Sequence, residues 1–175
     1  VSEIIISVDK KSTDGTIELL ERMKNEYPKI SLDYYEISNP WIDLVKIRNQ
    51  QLKKSKGEWI WILDDDEYYP DREIKEILER MEKTDAEACS VKFWFLTDKT
   101  HFSPGLGKRT VRFYRNNGGL EWLDKFTKEF IPVQLVESLG SHYVHLSYLK
   151  KHTWRNEFGE DKFKFPVFFE RNREL

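Results

Sequence analysis

The sequence predicts a single α/β domain, a mixed but mostly parallel twisted sheet flanked by helices. Two observations carry this. Short, nearly continuous apolar runs alternate with stretches of helical periodicity through the first half, the pattern of strand–helix–strand units. In the second half, strands follow one another without helices between them, as in antiparallel additions to a sheet. The 175 residues suit one domain with a substantial core. Hydrophobic residues at 39% and aromatics at 14% are too many for a disordered chain.

The elements can be justified in order. Ile4 to Val8 is a β-branched run ending at Asp9, the composition of a strand buried on both faces. Ser12-Thr13-Asp14-Gly15 follows as a turn rich in capping residues, and Ile17, Leu20 and Met23 then recur at helical spacing until Pro28. Leu32 to Ile37 alternates like a second strand, and Asn39-Pro40 breaks it. Ile42 to Lys54 reads as a helix, with Gly57 behind it as a stop. Trp59 to Leu63 is a third apolar strand. Pro70 opens a helix to about Glu82, with Ile74, Ile77, Leu78 and Met81 on one face. Ala88 to Leu96, Lys108 to Tyr114 and part of Phe126 to Val136 read as further strands. Ser103 to Gly107 and Asn116 to Gly119 read as loops between them. The change from alternating helices and strands to successive strands divides this one domain, 1–175, into halves 1–85 and 86–175.

Charge and cysteine usage narrow the function classes. A net charge of −2 provides no global positive field for nucleic acid. The single cysteine, Cys89, lies in an apolar run and has no partner for an internal disulfide, which fits a reducing compartment. No apolar run approaches the ~20 residues of a spanning helix, and no signal-peptide pattern is visible. The expectation is a soluble, cytoplasmic chain, with peripheral association at the cytoplasmic face of a membrane left open.

Leu63-Asp64-Asp65-Asp66-Glu67 carries the strongest chemical signal. Ligands of open α/β sheets bind beyond the carboxyl ends of strands, and carboxylates crowded there repel unless a cation neutralises them. A hard divalent ion does so and keeps positions for phosphate oxygens. In an extended chain Asp64 and Asp66 share a side, and Asp65 faces away. The alternative is an acidic cap for the helix after Pro70. Asp9 ends the first strand and is suited to accept a hydrogen bond from a base or ribose, although local capping accounts for its neighbours equally well.

Three segments resemble family 2 glycosyltransferases. Val8-Asp9-Lys10-Lys11-Ser12-Thr13-Asp14-Gly15-Thr16 is similar to the family's V-D-D-G-S-T-D-G-T segment. Arg48-Asn49 followed by Lys56-Gly57-Glu58-Trp59-Ile60 resembles its R-N…G-(D/E)-(Y/W)-I stretch. Leu63-Asp64-Asp65-Asp66-Glu67 resembles L-D-A-D-E, its D-x-D motif. They come in the family's order and at its usual separations, clearest over about residues 3–82. The resemblance begins at the family's second strand, ahead of which a further strand and helix are usual.

The resemblance implies a GT-A fold, a Rossmann-like domain that binds a nucleotide-diphosphate sugar, with a UDP-sugar as the expected donor. It implies Asp9 on the base, Arg48 on the nucleotide, Asp64 on the ribose or the metal, and Asp66 on the metal, which is Mn2+ or Mg2+. His145, in His145-Leu146-Ser147-Tyr148, is similar to a histidine that completes the metal shell, with a structural histidine as the alternative. Arg112-Phe113-Tyr114-Arg115, Trp122 and Lys128-Glu129 resemble a subgroup pattern that implies Glu129 as the base. Lys128 stands where a histidine is usual, and Asp124 is the alternative carboxylate. Most members invert the anomeric centre, which needs such a base. The acceptor would be a glycan, a lipid-linked sugar or a protein. Arg112 and Arg115 are candidate partners for diphosphate, and Trp122 is the tryptophan expected to stack on a sugar, the others packing in the core. Two other readings are a non-catalytic nucleotide- or glycan-binding relative and, ranked lower, a Mg2+-dependent phosphotransfer enzyme.

Overall fold

The computed structural model describes residues 1–38, 40–96, 102–125, 128–131 and 133–146. The chain forms two compact units, one of Val1–Ile60 with Arg115–Gln134, the other of Trp61–Tyr114 with the chain from Leu135.

In the first unit β1 (Ile4–Asp9) pairs in parallel with β2 (Ile30–Tyr35), in the register Ile4 to Ile30 through Asp9 to Tyr35. The strand begins at Ile30, ahead of the expected Leu32, because Ile30 N donates to Tyr27 O at 2.9 Å and feeds straight into the ladder. Helix α1 (Thr16–Glu26) makes the crossover. Gly15 starts it at φ +88, a left-handed conformation that glycine adopts without strain. Helix α2 (Pro40–Lys54) packs against β1, burying Ile47 and Leu52. The later segment contributes a small antiparallel hairpin, β7 (Leu123–Lys125) and β8 (Lys128–Phe130).

The second unit is a five-stranded sheet in the order β3-β6-β5-β9-β4, entered at Trp61, the last residue of β3 (Trp59–Trp61). Strand β4 is Glu67–Tyr68, β5 Ala88–Leu96, β6 Phe102–Arg115 and β9 Val136–His145. Strands β5 and β9 run parallel, whereas β6 and β4 are antiparallel to their neighbours β5 and β9. Helix α3 (Asp71–Met81) packs on β9 through Ile77 and Met81. Pro70 caps it, Asp71 and Glu73 fill its first turn and Arg80 its last, each complementing the helix dipole. Ala88, Cys89, Val91, Phe113, Leu139 and Tyr143 form the dry centre of the sheet.

The α/β class is as expected, with a mixed five-stranded sheet and a helix against strand in each unit. The segment Ser103 to Gly107, expected as a loop, lies inside β6. Its pairing with β5 jumps from Lys92–Arg109 to Trp94–Pro104. The proline and glycines mark a wide irregularity in a strand, which is where a residue without a backbone N–H is tolerated. The tail from Ser147, including Tyr148 and Lys150-Lys151-His152, lies outside the described residues.

Candidate active site

The acidic segment is not an extended strand end. Strand β3 stops at Trp61, and Asp64 to Glu67 closes a turn in which Glu67 N donates to Asp64 O at 3.2 Å. The alternation expected to put Asp64 and Asp66 on one side therefore does not apply, because a turn rotates successive side chains out of that period. The chain then enters β4, where Glu67 faces His145 and Tyr68 faces Val144. Leu146 N donates to Asp66 O at 2.6 Å. This register brings Asp66 to His145, with Oδ2 3.8 Å from Nδ1.

Asp64 turns elsewhere. Its Oδ2 accepts from Arg112 Nη2 at 2.8 Å, and the same nitrogen donates to Glu67 Oε1. The Glu67 side chain is 0% exposed and that of Arg112 10%, against 30% for Asp64. Burial pushes the Glu67 carboxyl up to about 7; the Arg112 charge opposes the shift and the Asp64 charge adds to it. For Arg112, burial pulls down but the Glu67 and Asp64 charges outweigh it, so the guanidinium stays charged. Aromatic rings wall this pair. Trp61 meets Tyr69 edge-on at 4.8 Å, Tyr69 stacks on Tyr143 at 5.0 Å, and Arg112 lies 5.8 Å from the Tyr143 ring centre. Burial raises both phenols, which stay neutral. His142, three residues before His145, points away from it: its N donates to Glu73 Oε2 at 2.8 Å and its ring is 6.0 Å from Trp94.

The first unit carries the other predicted residues. Asp9 ends β1, and its Oδ1 accepts from Lys11 N at 3.0 Å, closing the turn toward α1. Arg48, on α2, places its guanidinium 4.5 Å over the Trp122 ring. The neighbouring Asn49 clamps the Trp122 backbone, its Oδ1 accepting from Trp122 N at 2.8 Å and its Nδ2 donating to Trp122 O at 3.0 Å. Trp122 is 6% exposed. It is held in the core of its unit, contrary to the expectation of a sugar-stacking indole, because both its ring and its backbone are engaged by α2. Trp94, at 37%, is the more exposed ring. Trp41 lies where only the backbone is described. Asp124 and Glu129 are backbone partners across the β7–β8 hairpin, so the two candidate bases sit at one level of one ladder.

Both arginines expected as diphosphate partners are found on carboxylates: Arg112, its side chain 10% exposed, lies between Asp64 and Glu67. Arg115 pairs with Glu58 at 2.8 Å and lies 4.6 Å over Trp59. Sequence reasoning passed over Glu67 and Asn49. The available signal was Arg112 itself, an arginine inside the apolar run Val111 to Tyr114, which can be buried only with a carboxylate partner.

Among the described residues, no three histidine, cysteine or carboxylate groups converge as a closed metal cage. Asp66 with His145 nevertheless suits an open site. Mg2+ and Mn2+ are commonly held by one or two protein ligands, with substrate phosphates and water completing the shell.

The chain is thus an α/β protein with an acidic turn after β3, a histidine brought to that turn and an Asp-containing turn after β1. A model of the glycosyl transferase family 2 matches residues 2–134, and the chain belongs to that family. Among solved structures it is similar to S. aureus TarS 1-349, at 15% identity and a TM-score of 0.56, covering 83% of this chain and 51% of that one. It is likewise similar to TarS 1-349 in complex with UDP, at 15% identity and a TM-score of 0.55, covering 81% and 50%. The chain thus spans about half the length of those structures, and the likeness establishes the fold. No curated protein sequence matches it.

Proposed function

We propose that this chain belongs to a glycosyltransferase that moves a sugar from a nucleotide diphosphate, most simply UDP, to a hydroxyl acceptor. The observation that carries the reading is the turn from Asp64 to Glu67, which presents Asp66 beside His145 in a chain of this family. Asp66 and His145 would hold Mn2+ or Mg2+. When bound, the ion supplies positive charge against the diphosphate as it departs. Asp64 would accept hydrogen bonds from the nucleotide's ribose or join the metal shell, while Asp9 and Arg48 would meet the base and the remainder of the nucleotide. Glu129, or Asp124 opposite it, would take the proton of the acceptor hydroxyl as the new bond forms, with inversion at the anomeric carbon.

The cytoplasm is our proposed setting, with peripheral association at the cytoplasmic face of a membrane left open and a glycan, lipid-linked sugar or protein as acceptor. Among the described residues no helix is long and apolar enough to cross a membrane. The test is calorimetric UDP binding in the presence of Mn2+, together with UDP-sugar turnover, for the wild type and Asp66→Ala. A drop of at least tenfold in affinity is expected for the variant, about what loss of one charged ligand removes. Identical titrations for the two proteins would refute the assignment. UDP binding without turnover in either protein would favour the binding-module alternative.

A further inference from the structure

We propose that Arg112 is the positioning residue of this site: bridged between buried Glu67 and Asp64, it holds the Asp64 carboxylate in the orientation that receives the nucleotide. The inference rests on the donor-binding reading above and adds a residue that acts through another.

Three features of the geometry carry it. First, the inner end of the bridge is immobile. Glu67 is fully enclosed, its Oε2 and the Arg112 Nε have no hydrogen-bond partner among the described residues, and Arg112 lies against Tyr143. Neither charge has a route to water that would not leave the other stranded in a poorly polarisable interior. Second, a single nitrogen, Nη2, serves both carboxylates, so fixing Glu67 fixes the direction of the bond to Asp64. Third, Asp64 is the most exposed member of the trio, at 30% against 10% and 0%. A device for stability alone needs only the inner pair, and buried pairs contribute little beyond an apolar replacement. The bond that reaches outward to the accessible carboxylate serves the ligand. A guanidinium suits the task because its charge persists in a dry setting and its N–H directions are rigid.

The test is a double-mutant cycle in a Glu67→Gln background, which removes the buried carboxylate that Arg112→Gln would otherwise leave unpaired. Asp64→Asn, Arg112→Gln and the combination are compared for UDP affinity with Mn2+ and, separately, for the urea midpoint without nucleotide. Each single change is expected to weaken UDP binding about tenfold, and the combination no more than either alone, because both remove one orientation. Arg112→Lys, which keeps charge and stem, should recover part of that affinity when Asp64 is present and none with Asp64→Asn. A combined loss near the product of the two, about a hundredfold, would overturn the proposal. If the wild type binds no UDP, the donor-binding reading fails by itself. The midpoints then decide the bridge: non-additive shifts uphold it, and additive shifts dismiss it.

Discussion

Asn49 closes both backbone hydrogen-bonding groups of Trp122, accepting from its N–H at 2.8 Å and donating to its carbonyl at 3.0 Å. A side-chain amide is the one neutral group that can imitate a strand partner in this way. Together with Arg48 over the indole, it ties α2 to the segment that leads directly into the β7–β8 hairpin. The Arg-Asn pair thus has a structural duty in its own unit, whatever Arg48 does for a nucleotide.

Replacing Asn49 by Asp keeps the acceptor and turns a carboxylate oxygen toward the Trp122 carbonyl. The expected cost is roughly 1–3 kcal/mol, the usual penalty when a part-buried group loses its partner. Urea unfolding followed by tryptophan fluorescence measures it. A midpoint unchanged from the wild type would show that the clamp contributes nothing.

Truncating Glu67 to Ala leaves Arg112 buried with Asp64 as its remaining acidic partner among the described residues. The loss should approach the ~3–5 kcal/mol seen when one member of a buried ion pair is removed. Glu67→Met combined with Arg112→Met should recover most of it, since an apolar pair carries no desolvation cost. Thermal melts of the three proteins check the order. A double variant no more stable than Glu67→Ala would contradict it.

The raised Glu67 carboxyl makes stability depend on pH with a definite sign. Its folded value near 7 lies above the ordinary 4.5, so the folded chain holds this proton more tightly than the unfolded chain does. The contribution is complete below the ordinary value and is lost as pH rises through about 7, up to ~3 kcal/mol in all. Urea midpoints of the wild type relative to Glu67→Gln should therefore fall between pH 5 and pH 8. A difference that is flat or rises over that interval would count against the buried carboxyl.

Chelation provides a separate check on Asp66 and His145. Adding EDTA should weaken UDP binding by the wild type and leave His145→Leu with Asp66→Ala nearly indifferent, as the ion's contribution is already absent there. Isothermal titration with and without chelator reads this directly. Equal sensitivity in both proteins would place the ion elsewhere.

Most elements were legible because local patterns agree with the final packing. The helical spacing of Ile77 and Met81 and the proline that starts α3 express preferences that burial reinforces, whereas β1, expected to be buried on both faces, buries only Val8 and leaves Ile4 exposed, as Leu78 is on α3. The misread segments are those where partners override local signals. Ser103 to Gly107 carries loop residues but is held by pairing with β5, and Leu63 is apolar yet 55% exposed because the chain has already left β3. Trp122 lies among turn residues, and its backbone and ring are held by Asn49 and Arg48 of α2, more than seventy positions earlier.

The sequence by itself determined the α/β class, the order of the helices and strands, and the acidic segment after an apolar strand. Those features depend on periodicity and on neighbours along the chain. Only the tertiary structure decided that Asp64 turns to Arg112 while Asp66 meets His145. That outcome follows from the register of β4 on β9 and from where a buried guanidinium finds its counter-charges, and such contacts join positions about 45–80 residues apart, beyond the reach of any local pattern.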